Sequence, residues 1–358
     1  MTPPTFTTPW TTRPAWRRAL VTGGAGFLGS HLCERLLDAG VGVTCLDDLS
    51  SGSPGNIAHL TGRPGFRFLE HDVADPRCLD ALDGRYDLVL HFAVPAVPAV
   101  PAVPAVSAGP VDSLDRPSRM PEADGSGTRN ALTAADRDGA RFLLASAYQG
   151  ASDDPPEPSG AHLGHHGAER FAETLTTAFV RARGLDAGIV RIFGSYGPRM
   201  RADDGHVVPV FVRQALAGEP VTVAGDGTRT RSLCYVDDTV DGVLLVAASR
   251  SVRPVDIGGC EETGVRDIAR RVIELTGSRS PLTHVDTGPG EDARRGPDPT
   301  LARELFGWQP KVGWEEGLKR TIAHFSELAA NGWPLRHPAG AAGPSGGTEG
   351  GRRHACSW

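Results

Sequence analysis

Lysine is nearly missing from this chain. Of 358 residues only Lys311 and Lys319 are lysine, and the rest of the positive charge is arginine. Tyrosine is scarce too. Tyr86, Tyr148, Tyr196 and Tyr235 are followed four residues on by Leu90, Ser152, Met200 and Thr239. A tyrosine and a lysine one helical turn apart, sharing one helix face, therefore occur nowhere. The six cysteines (Cys33, Cys45, Cys78, Cys234, Cys260, Cys356) form no C-x-x-C pair. They read as reduced core residues rather than a disulfide or zinc framework, and no metal is expected. There is no excess of basic charge, the formal net charge being −6, so neither nucleic acid nor an acidic membrane surface is an expected partner. No apolar run approaches the length of a transmembrane helix. The opening MTPPTFTTPWTTRPAWRR lacks the apolar segment of a secretory signal, and a cytoplasmic protein is the plain expectation.

What is present is an alternation of short apolar runs and helical patterns. RALVTG is followed by GAGFLGSHLCERLLDAG and VGVTCLDD, then by RFLEHDV, YDLVLHFA, GTRNALTAADRDG and RFLLAS. Such alternation predicts an α/β fold, a doubly wound parallel sheet with helices on both faces. The chain divides on this reading into a disordered arm at 1–16, a dinucleotide-binding domain at 17–186, and a mostly substrate-binding part at 187–330. The last is smaller, α/β, and interleaved with the first domain. Residues 335–358 are glycine-rich and predicted to be a disordered tail. Residues 94–106 read VPAVPAVPAVPAV, in which proline at every third position excludes a helix or central strand and predicts an extended loop.

The strongest motif is Thr22-Gly23-Gly24-Ala25-Gly26-Phe27-Leu28-Gly29, set between an apolar strand and an amphipathic helix. Gly23 suits a tight turn, Gly26 a close approach of backbone to a pyrophosphate, and Gly29 close helix–strand packing. The unpaired N–H groups opening the helix, Phe27 and Leu28 among them, then face the phosphates. Asp47 ends the next strand, where a carboxylate binds a ribose 2′-OH and repels a 2′-phosphate, so NAD is the expected cofactor.

The spacing T-G-x-x-G-x-x-G resembles that of the extended short-chain dehydrogenase/reductases, and other segments agree. Asp47-Asp48-Leu49-Ser50-Ser51-Gly52 resembles their ribose-binding stretch, His71-Asp72-Val73 the segment that meets the adenine, and His91-Phe92-Ala93 the end of the fourth strand beside the cofactor. Arg191 through Met200 resembles the R-x-x-N-x-Y-G-P-R-M run of nucleotide-sugar members. Agreement is best with UDP-glucuronate decarboxylases, then with dTDP-glucose 4,6-dehydratases and 4-epimerases. The resemblance implies a nucleotide-sugar substrate, a homodimer, and Arg231 and Arg295 as ligands of the diphosphate and nucleoside. Two positions depart from it: Gly194 stands where the family has asparagine, and Pro209-Val210-Phe211 where it has S-N-F.

The catalytic pattern departs further. In the family a Tyr-x-x-x-Lys pair and a Ser or Thr carry hydride transfer. Matching Arg170-Phe171-Ala172-Glu173-Thr174 to the family's K-R-x-A-E-T run places Glu169 at the lysine and His165 at the tyrosine. Matching Leu143-Leu144-Ala145-Ser146 places Ala147 at the Ser/Thr and Gln149 at the decarboxylase glutamate. Three readings stay open. His165 is the acid/base, oriented by Glu169, with Tyr148 a further source of a hydroxyl; a one-residue slip would instead pair His166 with Arg170. Alternatively the chain is a silent binder of NAD and nucleotide sugar acting through a partner. The third reading is a non-redox lyase or isomerase in an inherited pocket.

Overall fold

The computed structural model describes residues 16–93, 120–146, 162–202, 205–285 and 296–332, with side chains described outside 120–124 and 162–168. From the amino end run β1 (Arg18–Thr22), α1 (Phe27–Asp38), β2 (Gly42–Asp47), α2 (Pro54–Ile57), β3 (Phe66–Glu70), α3 (Cys78–Ala81) and β4 (Leu88–His91). Then come α4 (Met120–Asp138), β5 (Arg141–Ser146), α5 (His162–Arg183), β6 (Ala187–Ile192), β7 (Ser195–Tyr196), α6 (Val207–Ala217) and β8 (Val221–Ala224). After these lie β9 (Thr230–Ser232), β10 (Cys234–Tyr235), α7 (Val236–Ala248), β11 (Val255–Ile257), β12 (Glu262–Gly264), α8 (Val265–Thr276), β13 (Leu282–Val285), α9 (Thr300–Phe306) and α10 (Trp314–Ala330).

Seven strands form one sheet in the order β11-β6-β5-β4-β1-β2-β3, every neighbouring pair parallel. The central strands are apolar because both their faces are covered. All six residues of β5 (RFLLAS) are buried, whereas edge strand β3 (FRFLE) has no buried residue. Strand alternation sends Val21, Leu90 and Leu143 to one core with Leu36 of α1 and Val243 of α7. Leu20, Val89 and Leu144 go to the other with Leu132 and Ala135 of α4 and Ala172 of α5. The strand order reverses between β1 and β4, so the crevice at their carboxyl ends is where such a sheet binds ligands.

Helix α1 buries Leu32, Cys33, Leu36 and Leu37 at helical spacing, and Gly40 at φ 81° follows its end. Strands β6 and β11, from the part read as substrate-binding, are members of the main sheet. The remaining strands form three two-stranded sheets, β10-β7, β12-β9 and β13-β8. Trp16, expected to lie in the arm, is buried and packs in the core, with only Arg17 between it and β1. Residues 1–15, the repeat at 94–106 and the tail from 335 lie outside the described residues.

Candidate cofactor and catalytic site

The loop after β1 is shaped by the absence of side chains. Gly23 has φ 67°, and a Cβ there would lie 2.6 Å from the carbonyl of Phe92 at the exit of β4. A Cβ on Gly29 would lie 2.1 Å from the Gly23 oxygen, so only glycine lets α1 sit this close to the turn. A Cβ on Gly24 would lie 2.6 Å from Cys45 Sγ, a packing demand that the motif's spacing alone does not reveal. At Gly26 the nearest atom would be the Gly23 oxygen at 3.1 Å. Gly26 caps α1 without a side chain, and the first turn holds no acidic residue. The amides of Phe27, Leu28 and Gly29 therefore have neither intrahelical acceptors nor a competing anion, the arrangement that receives a phosphate.

Asp47 is buried at 6% exposure. Ala25 N–H donates to its Oδ2 at 2.9 Å and Leu49 N–H to its Oδ1 at 2.8 Å. Burial pushes its carboxyl up, while hydrogen bonds from the amides of Leu49, Ala25 and Gly26 pull the other way. Each oxygen retains lone-pair capacity for a hydroxyl donor. A Cβ on Gly52 would lie 2.6 Å from Oδ1, so Gly52 makes room for this carboxylate, and Ser51 beside it is half-buried.

Asp72 follows β3, is exposed, and accepts the Ala74 N–H at 2.8 Å. The carbonyls of Val73 and Ala74 accept from Asn130 Nδ2 at 2.8 and 3.2 Å, which fixes that loop on α4. Ala93 leaves β4 beside Gly23. His91, the last residue of β4, bridges Thr22 Oγ1 at 2.7 Å and Thr128 Oγ1 at 3.2 Å; burial pushes it down to about 4, so it is a neutral crosspin. Register brings these parts level: Thr22 pairs with Leu46 and with His91, and Asp47 with Glu70. Residues Gly23, Gly26, Asp47, Asp72 and Ala93 thus share the carboxyl edge of the sheet. The residues present fit a dinucleotide with free ribose hydroxyls.

On α5, Glu169, Ala172 and Thr176 are buried whereas Arg170 is exposed. Arg191 of β6 donates to Glu173 through Nε at 2.9 Å and Nη2 at 2.7 Å, a bidentate tie between α5 and the sheet. Position 165 lies one helical turn before Glu169, and position 166 one turn before Arg170. The backbone of His165 is in α5, while its side chain, Tyr148, Ala147, Gln149 and Arg295 lie outside the described residues. Arg231 is half-buried on β9, its Nη1 donating to Thr230 O at 2.8 Å. Gly194 has φ 58°, and a Cβ there would lie 1.7 Å from Ser232 O, which accounts for glycine where the family has asparagine. Pro209, Val210 and Phe211 are buried within α6. Sequence reasoning had no signal for the Arg191–Glu173 pairing, since the two residues sit in separate motifs.

Fold and loop together define a dinucleotide-binding α/β protein. The model of the NAD dependent epimerase/dehydratase family matches residues 19–258, and the chain belongs to that family. It is 35% identical over 320 residues to UDP-glucuronic acid decarboxylase 1 of Xenopus tropicalis, covering 86% of this chain and 72% of that protein. Among solved structures it resembles the UDP-glucose 4-epimerase of Thermotoga maritima with UDP-glucose. That match has TM-score 0.75 and 30% identity, over 87% of this chain and 99% of that one. It also resembles a dTDP-glucose 4,6-dehydratase double mutant from Streptomyces venezuelae with NAD bound. There the TM-score is 0.75 and identity 28%, over 89% and 100% of the two chains. NAD is accordingly its cofactor. Among the described residues no group of three or more His, Cys, Asp or Glu could hold a metal, and no helix is long and apolar enough to cross a membrane.

Proposed function

We propose that this chain is an NAD-dependent nucleotide-sugar enzyme, of the decarboxylase, dehydratase or epimerase type, whose catalytic pair is His165 and Glu169. The observation that carries the pairing is the burial of α5: Glu169 is 3% exposed while Arg170 is exposed. This favours the His165–Glu169 register over His166–Arg170, because residues four apart share a helix face. The Arg191–Glu173 tie one turn further on holds that face against the sheet.

The glycine loop binds the pyrophosphate, and Asp47 accepts from the adenosine ribose hydroxyls. A bound NAD would supply the hydride acceptor for a sugar carbon and the source of its return. The His165 imidazole takes the proton of that carbon's hydroxyl, and the Glu169 carboxylate favours the imidazolium so formed. Tyr148 supplies a further hydroxyl near the end of β5, and Arg231 with Arg295 neutralises the substrate diphosphate. UDP-glucuronate is the first candidate substrate, by kinship with the decarboxylases. The same reading makes the chain a homodimer through α4 and α5, where Phe171 is 46% exposed, and places it in the cytoplasm, in keeping with the free thiol of exposed Cys260.

The test incubates the protein with NAD and a panel of UDP- and dTDP-sugars, with products followed by mass spectrometry. Turnover in the wild type and none in His165→Ala, with NAD still bound, is the expected result. Unchanged turnover in His165→Ala overturns the assignment. A second reading, silent binding of NAD and nucleotide sugar, is favoured by Ala147 and Gln149 in place of a hydroxyl and an acid. It predicts no turnover across the panel with NAD bound.

A further inference from the structure

Four separated segments meet behind the glycine loop, at the end of the Arg191–Met200 run. Arg199 has φ 70°, a left-handed conformation that a side chain disfavours. Its N–H donates to His324 Nε2 on α10 at 3.1 Å. Its carbonyl accepts from Asn56 Nδ2 at 3.4 Å, and the same Nδ2 donates to Ala25 O at 3.0 Å. Pro198 O accepts from His31 of α1 at 3.1 Å, and the Arg199 guanidinium is bonded to Glu34 of α1 and to His59 at 3.2 Å. Ala25 is thereby held at both ends, its N–H by Asp47 and its carbonyl by Asn56 and Ser53 N–H. The orientation of the peptide joining Ala25 to Gly26 sets where the Gly26 amide points.

We propose that His324, on the carboxyl-terminal helix and outside the residues matched by the family model, is a positioning residue for NAD: by accepting the Arg199 N–H it keeps Arg199 left-handed, and through Asn56 this fixes the Ala25–Gly26 peptide of the dinucleotide loop. The function needs a lone pair on Nε2, hence a neutral ring. Burial, and then the Arg199 charge, press His324 below its usual range, with Glu327 opposing. The other groups around Arg199 are His31 and Glu34 of α1, and His59, with Arg35 acting on His31. His31 is pushed down to about 4 by burial and Arg199, and Glu34 is lowered by Arg199 against its own burial. Protonation of His324 removes the acceptor and adds a cation beside Arg199. NAD affinity should therefore fall as the pH drops below the ordinary histidine range.

The inference rests on NAD binding alone and not on turnover, so it stands apart from the His165 assignment. Titration calorimetry of the full chain with NAD, at pH 7.5 and pH 5, tests it. Loss of a half-buried acceptor predicts up to about tenfold weaker binding for His324→Leu at pH 7.5. His324→Gln, whose amide oxygen supplies an acceptor at every pH, should bind as the wild type does at pH 7.5 and lose less affinity at pH 5. Binding by His324→Leu equal to wild type overturns the proposal, and so does equal weakening of both variants. If the leucine variant does not fold, the glutamine variant decides: a fall at pH 5 as large as the wild type's contradicts the role.

Discussion

The two halves of the site are built by different means. Around the glycine loop the backbone does the work. Gly23, Gly24 and Gly29 are demanded by atoms 2.1–2.6 Å from a would-be Cβ, and Asp47 by the amides it receives. Along α5 and after β5 the proposed reaction depends on a few side chains, and in our proposal His165, Glu169, Ala147 and Gln149 stand where the family has tyrosine, lysine, hydroxyl and acid. A backbone that must pass close to another tolerates no change of residue. A helix stripe needs only buried neighbours of suitable size, and its chemistry can be exchanged while the fold persists. On that proposal the cofactor half keeps its pattern where the catalytic half does not.

The contrast can be broken at its strongest point by Gly29→Val. Displacing α1 from the turn should abolish measurable NAD binding and destabilise the protein by about 3 kcal/mol or more, as overpacking against rigid backbone does; calorimetry and urea unfolding report both. Next in size is Arg191→Met, which leaves the Glu173 carboxylate mostly buried without its bidentate partner. A cost of about 2–4 kcal/mol is expected in urea unfolding, with the double variant Arg191→Met/Glu173→Leu recovering part of it. Gly194→Asn restores the family's residue yet should destabilise by about 2–3 kcal/mol, because the left-handed backbone and the Ser232 carbonyl both oppose a side chain. A stable Gly194→Asn protein would contradict the geometry at β9.

Acid sharpens the comparison from the other side. His91 and His31 are each pushed from 6.5 to about 4 in the fold, mainly by burial. The unfolded chain therefore binds more protons than the folded one between those values, and stability falls as the pH drops through that window. At pH 5 each histidine should cost about 1–2 kcal/mol relative to pH 7, read from unfolding midpoints. His91→Gln should flatten part of this dependence.

Much of the cofactor half was legible because its steric demands map onto residue types. Gly23, Gly26, Gly29 and Asp47 were each readable from a strand–turn–helix pattern. The main sheet was equally open, since RALVTG, VGVTCLDD, YDLVLHFA and RFLLAS are apolar runs too short for helices. The register of α5 was not, because HLGHHGAERFAETL offers both His165–Glu169 and His166–Arg170, and our preference for the first rests on the burial of Glu169. The cluster of His31, Asn56, His59, Arg199 and His324 was not readable as a cluster: Arg199 lies in the Arg191–Met200 run, but nothing in the sequence joins it to the other four. Its members span nearly 300 residues and meet only after the sheet has formed. Gly194 read as a departure from the family until the Ser232 carbonyl beside it gave the reason.

The central claim is that a retained NAD site works with a rebuilt acid/base pair. Its most direct test is stopped-flow absorbance of the NAD-loaded protein mixed with UDP-glucuronate, wild type against His165→Ala. The account predicts a transient of bound NADH in the wild type, followed by product, and neither in the variant. A transient of equal size in both proteins would contradict it.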